Sequence, residues 1–314
     1  AVLGQNIETD DIDGLTLGAN AGILQLWRLL FGARVRGEEF RAPFGFAAAG
    51  PRTRRFPYVS VSHEASAVRA NLVARLVERP ERGLIAFPKD RFRHNMPGSE
   101  AFREELDRIS LFEERGDNHA RVEAFLASKG NLVIEQPSNP ADRHGFGLIP
   151  AHALRQSALN IVCEPQMGPP GPTDLAEAAL KSLVAGLPFV VFGAHNAVAR
   201  LADAGFDVLD DLVDHAYDAE PDPAARFAGA WQTLETILAR HGNRPAMSVA
   251  EQDRLVRAAA HNREIFQGPL MERWLAHPLT ALHDRHPMVH GALAAHGEFD
   301  SLSPYIPTFV RAYP

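Results

Sequence analysis

Two neighbouring stretches decide the fold: Ser157-Ala-Leu-Asn-Ile-Val-Cys-Glu164, then Asp174-Leu-Ala-Glu177-Ala-Ala-Leu-Lys181-Ser-Leu-Val-Ala-Gly-Leu-Pro-Phe189-Val-Val-Phe-Gly193. Ala158 to Cys163, interrupted only by Asn160, and Leu187 to Phe192 are short apolar runs, and Asp174 to Ala185 between them has helical spacing. Apolar runs that do not alternate with polar residues read as strands buried on both faces. Two such strands joined by a helix make a βαβ unit, and βαβ units build parallel sheets.

The same alternation continues upstream. Phe56 to Val61 and Gly83 to Phe87 read as strands, with Ala65 to Glu78 as the helix between them. Glu100 to Leu111 and His119 to Ser128 read as helices, Asn131 to Glu135 as a strand, and Asn196 to Ala204 as a helix. The expected fold is α/β: a doubly wound, mostly parallel, Rossmann-like sheet. In such sheets ligands sit beyond the carboxyl ends of the strands. The informative residues are therefore those that follow strands: Ser62-His63-Glu64, Glu164 and Gly193-Ala-His195. Beyond Asp218 the chain reads as helical, with amphipathic patterns over Pro223 to His241, Ser248 to Phe266 and Pro269 to His277. Ser248 with Glu251 forms a capping box. Leu255, Ala258, Ala259, Asn262, Ile265 and Phe266 give one largely apolar face. Either the α/β domain or a second copy of the chain, in a homo-oligomer, has to cover it.

Composition narrows the function class. The chain has 314 residues with 46% hydrophobic and 23% charged residues, so a sizeable core is available. A formal charge of -7 argues against a mainly electrostatic nucleic-acid binder; Arg52, Arg54 and Arg55 are a local exception. The lone Cys163 excludes a disulfide framework and a cysteine-based zinc site within one chain, and it reads as a buried small hydrophobe. No apolar run reaches the roughly 20 residues of a membrane span, and no basic-then-apolar leader opens the sequence, so a cytoplasmic location is expected. His283, His286 and His290 would align on a helix, but Pro287 interrupts them, and surface histidines are expected rather than a metal site. Gly18-Ala-Asn-Ala-Gly22 before an apolar run is either a backbone phosphate cradle or a flexible turn.

The order of these segments resembles the C-terminal, nucleotide-sugar-binding half of fucosyltransferase-like (GT-B) glycosyltransferases, a group with many bacterial and phage members. The resemblance covers roughly residues 52 to 268. It rests on the strand ending at Glu164, the helix start at Glu177, and the Gly-x-Pro-Phe turn before Val190. Val59-Ser-Val-Ser62-His63 with Arg69, Ala204-Gly-Phe206, Asp214-His-Ala-Tyr217-Asp218, Arg226-Phe227 and His261-Asn262-Arg263-Glu264-Ile265-Phe266 add to it. It implies three segments: residues 1–51 as a partial acceptor-side region or arm, 52–220 as the nucleotide-sugar-binding domain, and 221–314 as a helical extension. About 50 leading residues are too few for a complete acceptor domain.

The resemblance further implies metal-independent transfer of a sugar from a nucleotide-sugar co-substrate to an acceptor, without a bound cofactor. Ser62, Arg69, Glu164, Glu177 and Lys181 would bind the donor. Arg69 would grip phosphate oxygens, and Glu177 would accept bonds from ribose hydroxyls. His63 and Glu64 are the local candidates for the base. A solvated helix residue at Arg69 and an ordinary first-turn acid at Glu177 are the plainer readings. The chain departs from the family's Thr-Glu-Lys start, having Ala176 and Ala178 around Glu177, and has His63 where Asn is usual. These departures leave open a binding or scaffold protein that keeps the fold without turnover.

Overall fold

In the computed structural model, described residues are 54–62, 64–92, 96–128, 131–132, 151–164, 167–168, 177–242 and 247–267. The chain divides into two units, residues 41–262 and residues 1–40 with 263–314. Nearly all described residues belong to the first. The Gly18–Gly22 turn, His63, the 269–277 helix and the histidines from His283 onward lie outside the described residues.

Four strands form one sheet: β1 (Val59–Val61), β2 (Leu84–Ala86), β3 (Asn160–Cys163) and β4 (Phe189–Phe192). Their order is β2-β1-β3-β4, and every pairing is parallel. Asn160 pairs with Phe189 and Cys163 with Phe192, while Val59 pairs with both Leu84 and Asn160. All residues of β3 and β4 are buried, Asn160 included, whose Nδ2 donates to Ser182 Oγ at 2.7 Å.

Helices cover both faces of the sheet. On one face Ile161, Cys163, Val190 and Phe192 share a core with α1 (Ala67–Glu78), α2 (Glu100–Arg108), α3 (Arg115–Ala127) and α7 (Pro223–His241). On the other, Val59 packs with Ala153 and Leu154 of α4 (Ala151–Gln156), and with Ala185 and Leu187 at the end of α5 (Glu177–Ala185). The period-two alternation of strand side chains produces this division. Burying side chains such as Phe192 or Leu72, each fully enclosed, contributes about 1.5–3 kcal/mol apiece. The fold is thus α/β with an all-parallel four-stranded sheet among the described residues, consistent with a Rossmann-like architecture.

Local chemistry sets the helix ends. The Ser66 hydroxyl accepts from Arg69 N at the start of α1, and the Ser99 hydroxyl from Phe102 N at the start of α2. α7 begins with Asp222 as cap and Pro223 in its first turn, and closes on Gly242 at φ 58°. The capping box exists as spaced: Glu251 N donates to Ser248 Oγ at 3.2 Å, and Ser248 N donates to Glu251 Oε2 at 2.8 Å. It opens α8 (Val249–Gln267), whose Leu255 and Ala258 pack on Leu209. α7 and α8 up to Asn262 therefore lie in the same compact unit as the sheet.

The strand order reverses once. From β1 the chain moves outward to β2, and from β3 outward to β4 on the other side. The carboxyl ends of β1 and β3 flank this switch point, where open parallel sheets have their crevice.

Candidate functional site

At the switch point the side chain of Arg69 spans both strand ends. Its Nε donates to the Cys163 carbonyl at 3.0 Å, and its Nη1 donates to the Glu64 carbonyl at 3.0 Å. Glu64 stands three residues beyond β1, and Cys163 is the last residue of β3. A planar guanidinium suits this task because its donors form a rigid fork. Burial lowers the Arg69 pKa, with the nearby Glu64 and Glu164 carboxylates opposing that shift.

The next step along the edge joins β3 to β4. Glu164 N donates to Phe192 O at 2.9 Å, extending the ladder, and Glu164 Oε2 accepts from Ala194 N at 2.8 Å. This requires glycine at position 193, because a Cβ there would fall on the Glu164 carboxylate. Arg226 of α7, almost fully buried, completes the lacing. Its Nε donates to Gly193 O at 3.0 Å and its Nη2 to Met167 O at 2.9 Å.

Asp218 occupies the start of the helix that follows β4. Its Oδ2 accepts from Val198 N and Ala199 N, both at 2.9 Å, in the first turn of α6 (Ala197–Asp203). The N–H donors at this helix start, the kind that bind anions, are taken by an internal carboxylate. Asn196 precedes α6 at φ 59°, a left-handed conformation that Asn tolerates.

The residues expected from sequence fall as follows. Ser62 is buried, and its N–H donates to Ala86 O at 2.9 Å, prolonging the β1–β2 ladder. Glu64, Arg69 and Glu164 come together around the β1 and β3 ends. Glu177 is the first residue of α5, and Lys181 lies one turn further along it, buried. Asp218, Arg226 and Asn262 stand out in the sequence only as parts of motifs; each proves to be a fastener. Asn262 Nδ2 donates to Leu183 O at 3.2 Å and to Asp207 O at 2.9 Å, and its Oδ1 accepts from Asp207 N at 2.7 Å. Nothing in a single sequence marks such side chain to backbone bonds.

Two further groups border the sheet. Burial pushes the Cys163 thiol up to about 12, so it is neither a nucleophile nor a ready metal ligand. His215 lies against the Phe189 ring, with centroids 5.3 Å apart. Its Nε2 is 3.1 Å from Val208 O, and its Nδ1 is 3.3 Å from Tyr217 Oη, which accepts from Val191 N at 2.9 Å. A carbonyl only accepts, so Nε2 carries the hydrogen and Nδ1 receives the tyrosine O–H. Burial holds the His215 pKa below its usual 6.5.

An open, mainly apolar pocket of about 390 Å³, solvent included, lies at the opposite, amino end of the strands. Leu159, Pro188, Val213, Ile237 and Leu255 line it, with Arg240 and Glu251 as its charged members. Among the described residues there is no group of three or more potential metal ligands, and no helix long and apolar enough to cross a membrane. No family, characterised protein or solved structure matches the chain.

Proposed function

We propose that the protein is a glycosyltransferase that takes a sugar from a nucleoside-diphosphate donor at the carboxyl edge of its sheet. The observation that carries this reading is the strand reversal between β1 and β3. The helices after those strands, α1 and α5, run back against the parallel strands, so both begin at this edge. Their positive dipole ends favour a diphosphate there; Lys181, on α5 beside the Ser182 that bonds to Asn160 at the amino end of β3, would reach it only by extending back along the helix. α6 contributes little, because Asp218 already fills its start.

In the proposed reaction an acceptor hydroxyl attacks the anomeric carbon of the sugar. The bond from that carbon to the diphosphate oxygen breaks, and the hydroxyl proton passes to a base, for which His63 and Glu64 are the candidates. Lys181 and the two helix starts stabilise the charge that grows on the leaving diphosphate. Glu177 takes the ribose hydroxyls, and Ser62 and Glu164 border the crevice. The acceptor class is open: glycan, protein or small molecule.

A second reading is favoured by the lacing itself. Arg69 and Glu164, both proposed to meet the donor, already bond to Cys163, Glu64 and Ala194. A scaffold that keeps the sheet and binds nucleotides without turnover, or binds none, would look like this.

Two assays separate the readings. GDP or UDP at 100 times its dissociation constant should stabilise a binding protein by about 2.7 kcal/mol. Nucleoside diphosphate released from GDP- and UDP-sugars, with and without simple sugar acceptors, reports turnover. Binding with release supports the transferase, binding without release supports the scaffold, and neither overturns the donor site.

A further inference from the structure

The Arg69 geometry carries a more specific statement, which rests on the donor-crevice reading. We infer that Arg69 is a positioning residue: it sets the width of the crevice between β1 and β3 by holding the two backbones, and does not itself grip the phosphate.

The geometry favours this role over a phosphate contact. Two of its nitrogens are committed to carbonyls from segments 94 and 5 residues away in sequence, each at 3.0 Å. The direct β1–β3 pairing is short, with Val59 and Asn160 as its register pair, at the amino end of both strands. Toward the carboxyl end, the Arg69 fork is a cross-link between the segment after β1 and the end of β3. Each neighbouring strand pair has a longer ladder there: Val61 still pairs with Ala86, and Cys163 with Phe192. The seam at the switch point is thus where side-chain support matters most, and Arg69 spans it. Ser66 fixes the first turn of the helix that carries the arginine, so the fork is held from its own base.

The test uses the full chain as wild type, Arg69→Lys, Arg69→Ala and, as a stability control away from this edge, Arg254→Ala, which removes the pairs to Asp207 and Asp211. Lysine keeps the charge but not the planar fork. The first readout needs no ligand: hydrogen exchange of the Ser62, Ala65 and Glu164 amides, which bond to Ala86, Arg91 and Phe192 carbonyls. Arg69→Lys and Arg69→Ala should both speed these amides by about tenfold or more relative to those of α7, and Arg254→Ala should not. The second readout is calorimetric titration of GDP and of UDP at low and high salt. A positioning role predicts that lysine and alanine weaken binding alike, by about tenfold or more, with the salt dependence unchanged. Near-wild-type affinity in Arg69→Lys, together with a smaller salt dependence in Arg69→Ala, would overturn it in favour of a direct phosphate contact. Unchanged exchange at all three amides in both variants would overturn it outright. If wild type binds neither nucleotide, the donor reading fails, and with it the role claimed here, while the exchange result still decides whether Arg69 holds the two segments.

Discussion

Arg69 Nε and the carbonyl oxygen of Cys163 are 3.0 Å apart, so one side chain of α1 closes the end of a strand 94 residues later. The Cys163 thiol sits beneath this contact, buried and with its pKa pushed up to about 12. In the native protein it should therefore resist thiol reagents at pH 8 and react fully only on unfolding. Removing the clasp, in Arg69→Ala, should raise the labelling rate without complete unfolding. Ellman-type labelling followed over time checks this; a fast-reacting thiol in the wild type would contradict the packing at the β3 end.

Gly193 and Glu164 form a coupled pair. Gly193→Ala forces the carboxylate off Ala194 N and should cost about 1–3 kcal/mol, the usual range for overpacking. In a Glu164→Ala background the same change should cost markedly less, because the obstructing atoms are gone. A double-mutant cycle by urea unfolding measures the difference. Additive effects would show that the two residues do not meet as described.

Asp218 stabilises the start of α6 from a distance of 20 residues in sequence. Asp218→Ala leaves the Val198 and Ala199 N–H groups without their acceptor and should destabilise by about 1–3 kcal/mol. Asp218→Asn keeps an amide oxygen in place and should cost less. Equal losses in the two variants would point to charge rather than capping as the source of the stability.

His215 gives the pH dependence a definite sign. Its folded pKa lies below the ordinary 6.5, chiefly through burial, with Val208 O, Asp218, Asp210 and Asp214 opposing the shift. The unfolded chain therefore takes up the proton first as pH falls. The stability from this residue is complete above about 6.5 and is lost as pH drops toward and through the folded value. Protonation would also set an N–H at Nδ1 against Tyr217 Oη, which already accepts from Val191. Unfolding free energies at pH 7.5, 6.5 and 5.5 should fall more steeply for wild type than for His215→Gln. Parallel curves would assign the acid sensitivity to other groups.

What the sequence makes legible follows from the range of the forces involved. The strands around Ile161 and Val190 announce themselves because burial on both faces leaves Asn160 as their one polar residue. α7 was readable to its ends, since Asp222, Pro223 and Gly242 act on their own helix. α4 is six residues long, too short for a helical period to register. At the carboxyl edge, the strand-end rule finds Ser62, Glu64 and Glu164, because that rule depends on chain order alone. It does not find that Arg69 turns toward carbonyls, nor that Arg226 reaches Gly193 and Met167 across 33 and 59 residues. Backbone carbonyls are the same at every residue, so their partners leave no mark on the sequence.

The most direct test of the donor site is hydrogen exchange with and without saturating GDP or UDP, read over peptides from both ends of the strands. The account predicts new protection at the amides of Ser62, Ala65 and Glu164 and in the first turn of α5. It predicts none around Leu159, Val213 and Leu255, which line the pocket at the amino end. Protection confined to that pocket, or no protection anywhere, would contradict it.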